Sequence, residues 1–305
     1  SLIQIFFSND FDIVHTWQDY CNIYGGIAAL VAGIDRIIMS ARTMPPPQKG
    51  RLASRQGRSY KECYQLLLDS DRVILTHNSE FGSLEYLDWL GPPESKHVTI
   101  HNGLDLSFQK DRGKKKFDLR SNLGIENDSM IVGYVGRFTT DKRPWLFLKV
   151  AEMILLNGRH SESTPSRELE EWFVHNEGQA DNSVKGDNSR LEKQGPIHFV
   201  MVGDGPQFEK AKKIVGESEI MNGSVHLVGF SSEVESYLRN FDCFLLTSKV
   251  EGLPNVIIEA QSCGVPVVAT NVGGSRECFV EGETGLLAMN GTPEEIGMLL
   301  TEVLT

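Results

Sequence analysis

The chain has 305 residues, 40% of them hydrophobic, with a formal net charge of −11 and a pI near 5.3. That length suits two domains of ordinary size, and that composition fills their cores. The acidic balance excludes a general nucleic-acid binder, which needs a basic face, but leaves room for a small anion in a local positive pocket.

No run reaches the ~20 apolar residues of a membrane span. Ser1 to Phe7 is too short for a signal peptide and lacks its basic start. Five cysteines (Cys21, Cys63, Cys243, Cys263 and Cys278) are scattered, odd in number and without CxxC spacing. They read as reduced, buried thiols of a cytosolic protein rather than a disulfide frame or a zinc site.

Taken in chain order, short β-branched runs alternate with longer amphipathic ones, the signature of parallel α/β units. The first strands fall at Asp12–His15, Arg36–Ser40, Arg72–Thr76 and His97–His101. Helical runs cover Asn22–Ile34 and Tyr60–Leu68. Thr43–Gly50, with three successive prolines, is loop. Gln109–Arg120 is charged and carries Lys114, Lys115 and Lys116. It reads as the connection between domains, with a basic patch for lipid headgroups as the alternative. The expected division is a first domain over 1–108, a linker over 109–128 and a second domain over 129–305.

The second set of strands reads Ile131–Val135, Ile197–Val202, Val225–Val228, Cys243–Thr247 and Val267–Ala269. Helices are expected at Pro144–Leu156, Gln207–Val215, Glu233–Arg239, Asn255–Ser262 and Pro293–Val303. This is the rhythm of a doubly wound Rossmann-like domain, whose ligand lies outside the carboxyl ends of the strands. Residues 158–195 break it: they are polar, with Trp172, Phe173 and Val174 as the one packing handle. They read as a mobile surface insertion with a short helix near Arg167–Val174 and no catalytic residue.

Three features at strand ends of the second domain suit an anionic ligand. Arg137 directly follows a buried strand and Lys142 precedes the next helix, so both could converge on a diphosphate. A pair of surface cations capping a turn is the equal alternative. Gly203-Asp204-Gly205-Pro206 resembles the start of GxGxxG, but Phe208 stands in place of the third glycine. Its physical meaning is a tight turn that lets backbone approach a ligand.

The third feature is Ser248–Gly274, which places Glu251 and Glu259 with seven residues between them, before and after a Gly252-Leu253-Pro254 turn and helix entry. Pro254 suits a first helical turn. Free N–H groups of Leu253, Asn255 and Val256 would face a phosphate at the positive end of the helix dipole. Two ordinary surface glutamates are the alternative. The apolar run Val256-Ile257-Ile258 argues for a mostly buried helix, where an unpaired Glu259 would be costly. A sugar nucleotide carries both groups such a segment would bind, a diphosphate and hydroxyls.

Other motifs are weaker. Asp10-Phe11-Asp12 has DxD spacing, but it precedes a strand, so a turn and strand entry is favoured over a metal site. The histidines show no metal-ligand spacing, and neither a GxSxG elbow nor a GxxxxGK[ST] loop occurs. Trp17 and Tyr20 read as packing residues of the first domain.

From about Asp12 to Pro293, these residues resemble the family 4 glycosyltransferases, retaining enzymes of the two-Rossmann GT-B fold. The carriers are Val135-Gly136-Arg137 with Lys142, Val202 to Pro206, Val228-Gly229-Phe230, Glu251 to Pro254 with Glu259-Ala260, Gly273-Gly274 with Glu277, and Glu281 to Leu287. His101-Asn102-Gly103-Leu104-Asp105 is similar to the family's strand end before the linker. The resemblance implies that Arg137 and Lys142 grip the donor diphosphate. It implies that Glu251 binds donor-sugar hydroxyls, that Glu259 binds the ribose, and that Phe230 lies near the base. Gly203 and Gly205, and the backbone of Gly252, Leu253, Pro254 and Asn255, would complete the donor site. His15 fits the first position of the family's HxH, but Trp17 replaces the second His, so a structural His15 is the equal reading.

The resemblance further implies metal-independent transfer from a UDP- or GDP-sugar to a glycan or lipid-linked acceptor. The setting would be surface polysaccharide or lipopolysaccharide synthesis, in the cytoplasm, with peripheral contact at the inner membrane face. Against the family pattern the chain starts just ahead of a middle strand and stops at Thr305, before the closing helices. The N-terminal Rossmann-like domain is therefore expected to be incomplete and this chain weakly active or inactive. The alternatives are an inactive sugar-nucleotide-binding module or scaffold, and a GT-B-like sugar-nucleotide epimerase. Having Arg137, Lys142, Glu251 and Glu259 together favours the transferase.

Overall fold

The computed structural model describes residues 1–46, 55–91, 93–105, 117–158, 164–178 and 195–305. They form two compact units: Ser1–Gly103 with Glu251–Pro254, and Leu104–Val250 with Asn255–Thr305. The three lysines at 114–116, and residues 159–163 and 179–194 of the insertion, lie outside the described residues.

In the first unit α1 (Leu2–Phe7) precedes four parallel strands, β1 (Ile13–Trp17), β2 (Arg36–Ala41), β3 (Val73–His77) and β4 (His97–Thr99). They pair in chain order. Helices α2 (Asp19–Val31), α3 (Arg55–Leu68) and α4 (Glu80–Leu90) make the crossovers. Each step runs the same way, and right-handed crossovers then put all three helices on one face. The core between sheet and helices holds Ile37, Met39, Leu75, Tyr64, Leu67 and Tyr86. Helix α4 is absent from the sequence reading because its apolar residues form no clean stripe. Its signal is Ser79, whose hydroxyl accepts from the Gly82 N–H at the helix start.

A buried polar network ties this unit together. Asn22 is fully buried, donates to the Ser40 carbonyl at 3.0 Å, and accepts from Thr16 Oγ1 at 2.8 Å. Tyr64 and Tyr86 both donate to Asp19 Oδ1 at 2.8 Å. Buried polar groups need such partners, and satisfied networks fix a unique packing.

The second unit has six parallel strands: β5 (Met130–Val135), β6 (Ile197–Val202), β7 (Val225–Gly229), β8 (Cys243–Leu246), β9 (Val267–Thr270) and β10 (Gly285–Ala288). Their order is β10-β9-β8-β5-β6-β7. After β7 the chain returns to the other side of β5, so the order reverses between β5 and β8. Strand β10 begins inside the Glu281–Leu287 motif and ends one residue past it, and is not among the strands expected from the sequence. Among the described residues seven helices accompany the sheet: α5 (Leu119–Leu123), α6 (Pro144–Asn157), α7 (Arg167–Glu177), α8 (Phe208–Glu217), α9 (Val234–Leu238), α10 (Asn255–Ser262) and α11 (Pro293–Leu304). Strands buried on both faces read as continuous apolar runs, as β5 and β8 do.

Two expectations about packing change. Leu119 and Ile125, inside the stretch read as linker, are buried in this unit's core. The short helix expected in the insertion is present as α7, and its Leu169, Trp172 and Phe173 pack against α6. Against the expectation of buried thiols, only Cys243 of the five free cysteines is buried, and Cys21 is exposed. Burial pushes the Cys243 thiol up to about 12.

Candidate functional site

A ligand in a doubly wound sheet lies outside the carboxyl ends of the strands where their order reverses. In the second unit those ends carry Gly136-Arg137 after β5, Gly203–Pro206 after β6, Phe230 after β7 and Thr247-Ser248 after β8. A cavity of about 510 Å³ opens there. Arg137, Gly203, Asp204, Gly205 and Phe230 line it, so the structure brings these sequence-selected residues together. Its walls are apolar apart from a few polar groups, as ligand pockets generally are. Ser231 and Val234 also line it and escaped the sequence reading. Their signal is position alone, just after the Phe230 turn.

Phe230 is 80% exposed. Gly229, at φ +86°, ends β7 and turns the chain so that the ring is held off the core. An exposed aromatic face beside a cavity suits a planar base. Arg137 is also exposed, and among the described residues no hydrogen bond or ion pair engages its guanidinium.

The two glycines of the β6–α8 turn have a more specific reason than the sequence suggests. Gly203 stands at φ +137°, and a Cβ there would land on the Gly136 carbonyl oxygen. Gly205 stands at φ +154°, and its Cβ would meet the Phe138 backbone at 2.8 Å. The Phe138 N–H donates to the Asp204 carbonyl at 2.9 Å, and the Gln207 N–H donates to the Phe138 carbonyl at 3.0 Å. The close approach is therefore between two backbone turns. The β6–α8 turn lies directly on the turn that presents Arg137.

Lys142 sits on the β5–α6 loop, and its carbonyl accepts from Thr247 Oγ1 at 3.0 Å. Beside it Arg143 is buried at 9% exposure and adopts φ +48°, rare outside glycine. Burial lowers its pKa, and the Glu177 carboxylate opposes that shift. Sequence spacing has no signal for this pair, because Glu177 lies inside the insertion.

Glu259 is the fifth residue of α10 and half-buried, and burial raises its carboxyl above the ordinary glutamate value. The helix is less buried than its apolar run suggests: Ile257 and Ala260 are covered, while Val256 and Ile258 are half-exposed. Asn255 is exposed at its first position, and Pro254 stands one residue before it rather than in its first turn. Glu251, Gly252, Leu253 and Pro254 are all buried and cluster with the first unit. There Gly252 packs on the Arg42 carbonyl, which a Cβ would strike, and Asn102 Nδ2 donates to the Leu253 carbonyl at 3.5 Å. Neither glutamate is an ordinary surface residue.

In the first unit His15 is exposed on β1, with Nε2 2.7 Å from Ser40 Oγ and its ring 4.6 Å from that of Trp17. Partial desolvation of the ring lowers its pKa. Trp17 and Tyr20 do not pack into the core: they are 49% and 62% exposed. Trp17 shares the outward face of β1 with Ile13 and His15, and Arg42 stacks on it at 5.1 Å. Asp10 and Asp12 lie in the exposed turn that enters β1. Among the described residues no group of three or more His, Cys, Asp or Glu could hold a metal ion.

Residues 187–305 match the family described as Glycosyl transferases group 1. The chain is 30% identical to the Vi polysaccharide biosynthesis protein VipC/TviE of Salmonella typhi, over 90% of this chain and 41% of that protein. It is 25% identical to an Escherichia coli UDP-Gal:alpha-D-GlcNAc-diphosphoundecaprenol alpha-1,3-galactosyltransferase, over 93% of this chain and 63% of that protein. It thus spans less than two thirds of the length of either relative. Among solved structures, Anabaena Alr3699/HepE in complex with UDP superposes with a TM-score of 0.69 at 18% identity, over 99% of this chain and 70% of that one. A glycosyltransferase from Rickettsia africae gives 0.71 at 16%, over 99% and 69%. The fold is α/β, with the two parallel-sheet units of GT-B glycosyltransferases.

Proposed function

We propose that this chain is a retaining glycosyltransferase of family 4. It would move a sugar from a nucleoside-diphosphate donor to a glycan or lipid-linked acceptor in surface polysaccharide or lipopolysaccharide synthesis. The observation that carries the reading is the cavity at the ends of β5, β6 and β7, with an exposed arginine and an exposed phenylalanine at its rim. The relatives' roles support it, and a UDP complex of a similar fold favours a UDP-sugar over a GDP-sugar.

In this reading the base rests on Phe230 and the diphosphate lies against the turns of Gly203 and Gly205. Arg137 and Lys142 neutralise the charge that grows on the β-phosphate as the bond between the anomeric carbon and the phosphate oxygen breaks. The acceptor hydroxyl attacks on the face that the nucleotide leaves, and its proton passes to the departing phosphate oxygen. The side-chain cations supply the electrostatic help, so the step needs no metal. Glu251 and the backbone of Gly252 to Asn255 hold the sugar, and Glu259 holds the ribose. Residues 129–305 are the donor side. Residues 1–108, with His15, are the acceptor side, working in the cytoplasm at the inner membrane face.

The test is nucleotide release from a panel of UDP-, GDP- and ADP-sugars, with Glu251→Ala beside the parent chain. Release from one base class, lost at least ~100-fold in Glu251→Ala, is expected. Release that is unchanged in the variant overturns the site. Tight nucleotide binding without release in either protein overturns the transferase in favour of a binding module.

Glu259 gives a pH-dependent signature. Its raised pKa means that the folded state favours the protonated acid, an advantage complete at low pH and lost as pH rises through the folded value. Ribose hydroxyls donate to the ionised form and stabilise it. Binding should therefore release a proton, and affinity should rise across the weakly acidic range just above the ordinary glutamate value. The nucleotide's own phosphate titrates nearby, so Glu259→Gln supplies the baseline in calorimetry at several pH values. Parallel pH curves for the two proteins would remove Glu259 from the ribose site.

A further inference from the structure

We propose that Glu177, in the polar insertion, is a positioning residue of the nucleotide site. It holds Arg143 in the one orientation that ties the β5–α6 loop to the carboxyl end of β8. The proposal rests on the reading of that crevice as the donor site.

Arg143 uses its guanidinium on three partners at once. Nε donates to the Thr247 carbonyl at 2.6 Å and Nη2 to the Ser248 carbonyl at 2.9 Å. Nη1 faces Glu177 Oε2 at 3.4 Å. The other oxygen of Glu177 accepts from Trp145 Nε1 at 3.0 Å, so the carboxylate is itself held in place. Further bonds lace the same two segments: Thr247 Oγ1 donates to the Lys142 carbonyl at 3.0 Å, and the Lys249 N–H donates to the Asp141 carbonyl at 2.7 Å. These segments flank the point where the strand order reverses. One carries Lys142, and the other leads within three residues to Glu251.

The arrangement works because its parts are costly alone. A non-glycine residue at φ +48° is strained. A buried guanidinium without a carboxylate is worse. Helix α7 supplies that carboxylate and is anchored independently. Trp172 lies 5.6 Å from Trp145, Ser166 N–H donates to Glu152 at 2.6 Å, and Lys213 pairs with Glu168 at 2.7 Å. Without Glu177, Arg143 would turn toward solvent and free the carbonyls of Thr247 and Ser248. Both loops of the crevice would then lose their common fix.

The test pairs Glu177→Gln with Glu170→Gln, a change on the same helix that breaks only the contact to Lys149. UDP titration calorimetry and hydrogen exchange over residues 247–250 are read on both, with Arg137→Ala as the benchmark for a lost phosphate contact. In Glu177→Gln, exchange should speed up about tenfold and UDP affinity should fall about tenfold, because small misplacements of positioning groups are expensive. Glu170→Gln should match the parent in both. If Glu177→Gln does not fold, Arg143→Lys carries the test, since an ammonium cannot span two carbonyls and a carboxylate. Unchanged exchange or unchanged affinity in the folded variant, while Arg137→Ala still loses UDP, overturns the positioning role alone. Failure of the parent chain to bind any nucleotide overturns the donor-site reading and the proposal with it.

Discussion

Arg137→Ala should leave the protein folded and cost about 100-fold in affinity for a nucleoside diphosphate, with a further loss in turnover. The fold should survive because the side chain is exposed and its guanidinium is unengaged among the described residues. Surface changes of this kind move stability by less than about 0.5 kcal/mol. The backbone contact at this position, Tyr134 OH donating to the Arg137 carbonyl at 3.0 Å, is kept by alanine. A charged hydrogen bond to phosphate contributes about 1.5–3 kcal/mol, and one aimed at a leaving group contributes more in the transition state. Calorimetry with UDP and GDP gives the first quantity and donor hydrolysis the second. Parent-like affinity in Arg137→Ala would mean that the phosphates lie elsewhere.

The largest effect on stability is expected from Gly203→Ala. A Cβ at this residue would occupy the Gly136 carbonyl oxygen, and φ +137° is hostile to any L side chain. Two packed backbones cannot both yield, so a loss above about 3 kcal/mol follows, through strain and a displaced Arg137 turn. Gly223→Ala separates the two causes. Gly223 has φ +85° with open space where a Cβ would sit, so it should lose only about 1–2 kcal/mol. Urea denaturation of both variants decides the matter. Equal midpoints would mean that the turn bends away without cost and that the glycine is not required by packing.

These expectations show what could be read from residues alone. Arg137 is legible because a strand end is local information: an apolar run stops and the next side chain stands at the crevice, whereas Phe230 is legible only through the family resemblance. The glycines of the β6–α8 turn were legible as glycines, but their partner was not. Gly136 and Gly203 belong to separate strands, and only pairing of β5 with β6 stacks their turns. Helix α4 went unread because tertiary burial of Tyr86 and Trp89, not a periodic stripe, holds it. Arg143 and Glu177 were the least legible, since a buried ion pair is defined by two distant segments meeting. Trp17 misled for the opposite reason: a large aromatic suggests a core, yet strand alternation turned it outward.

The strand order has a consequence for the order of assembly. In the first unit each strand pairs with its neighbour in sequence, so pairing can spread along the chain as it forms. In the second, β5 pairs early with β6, but its other side must wait for β8, with β6, β7 and helices α6 to α9 between them. That seam is short: its register covers Val132 with Cys243 and Gly133 with Phe244. Long-range parallel pairing of this kind forms slowly. The cavity draws its lining from the ends of β5, β6 and β7, so it can take shape before β8 docks, and the segment that carries Thr247 and Ser248 joins its flank last.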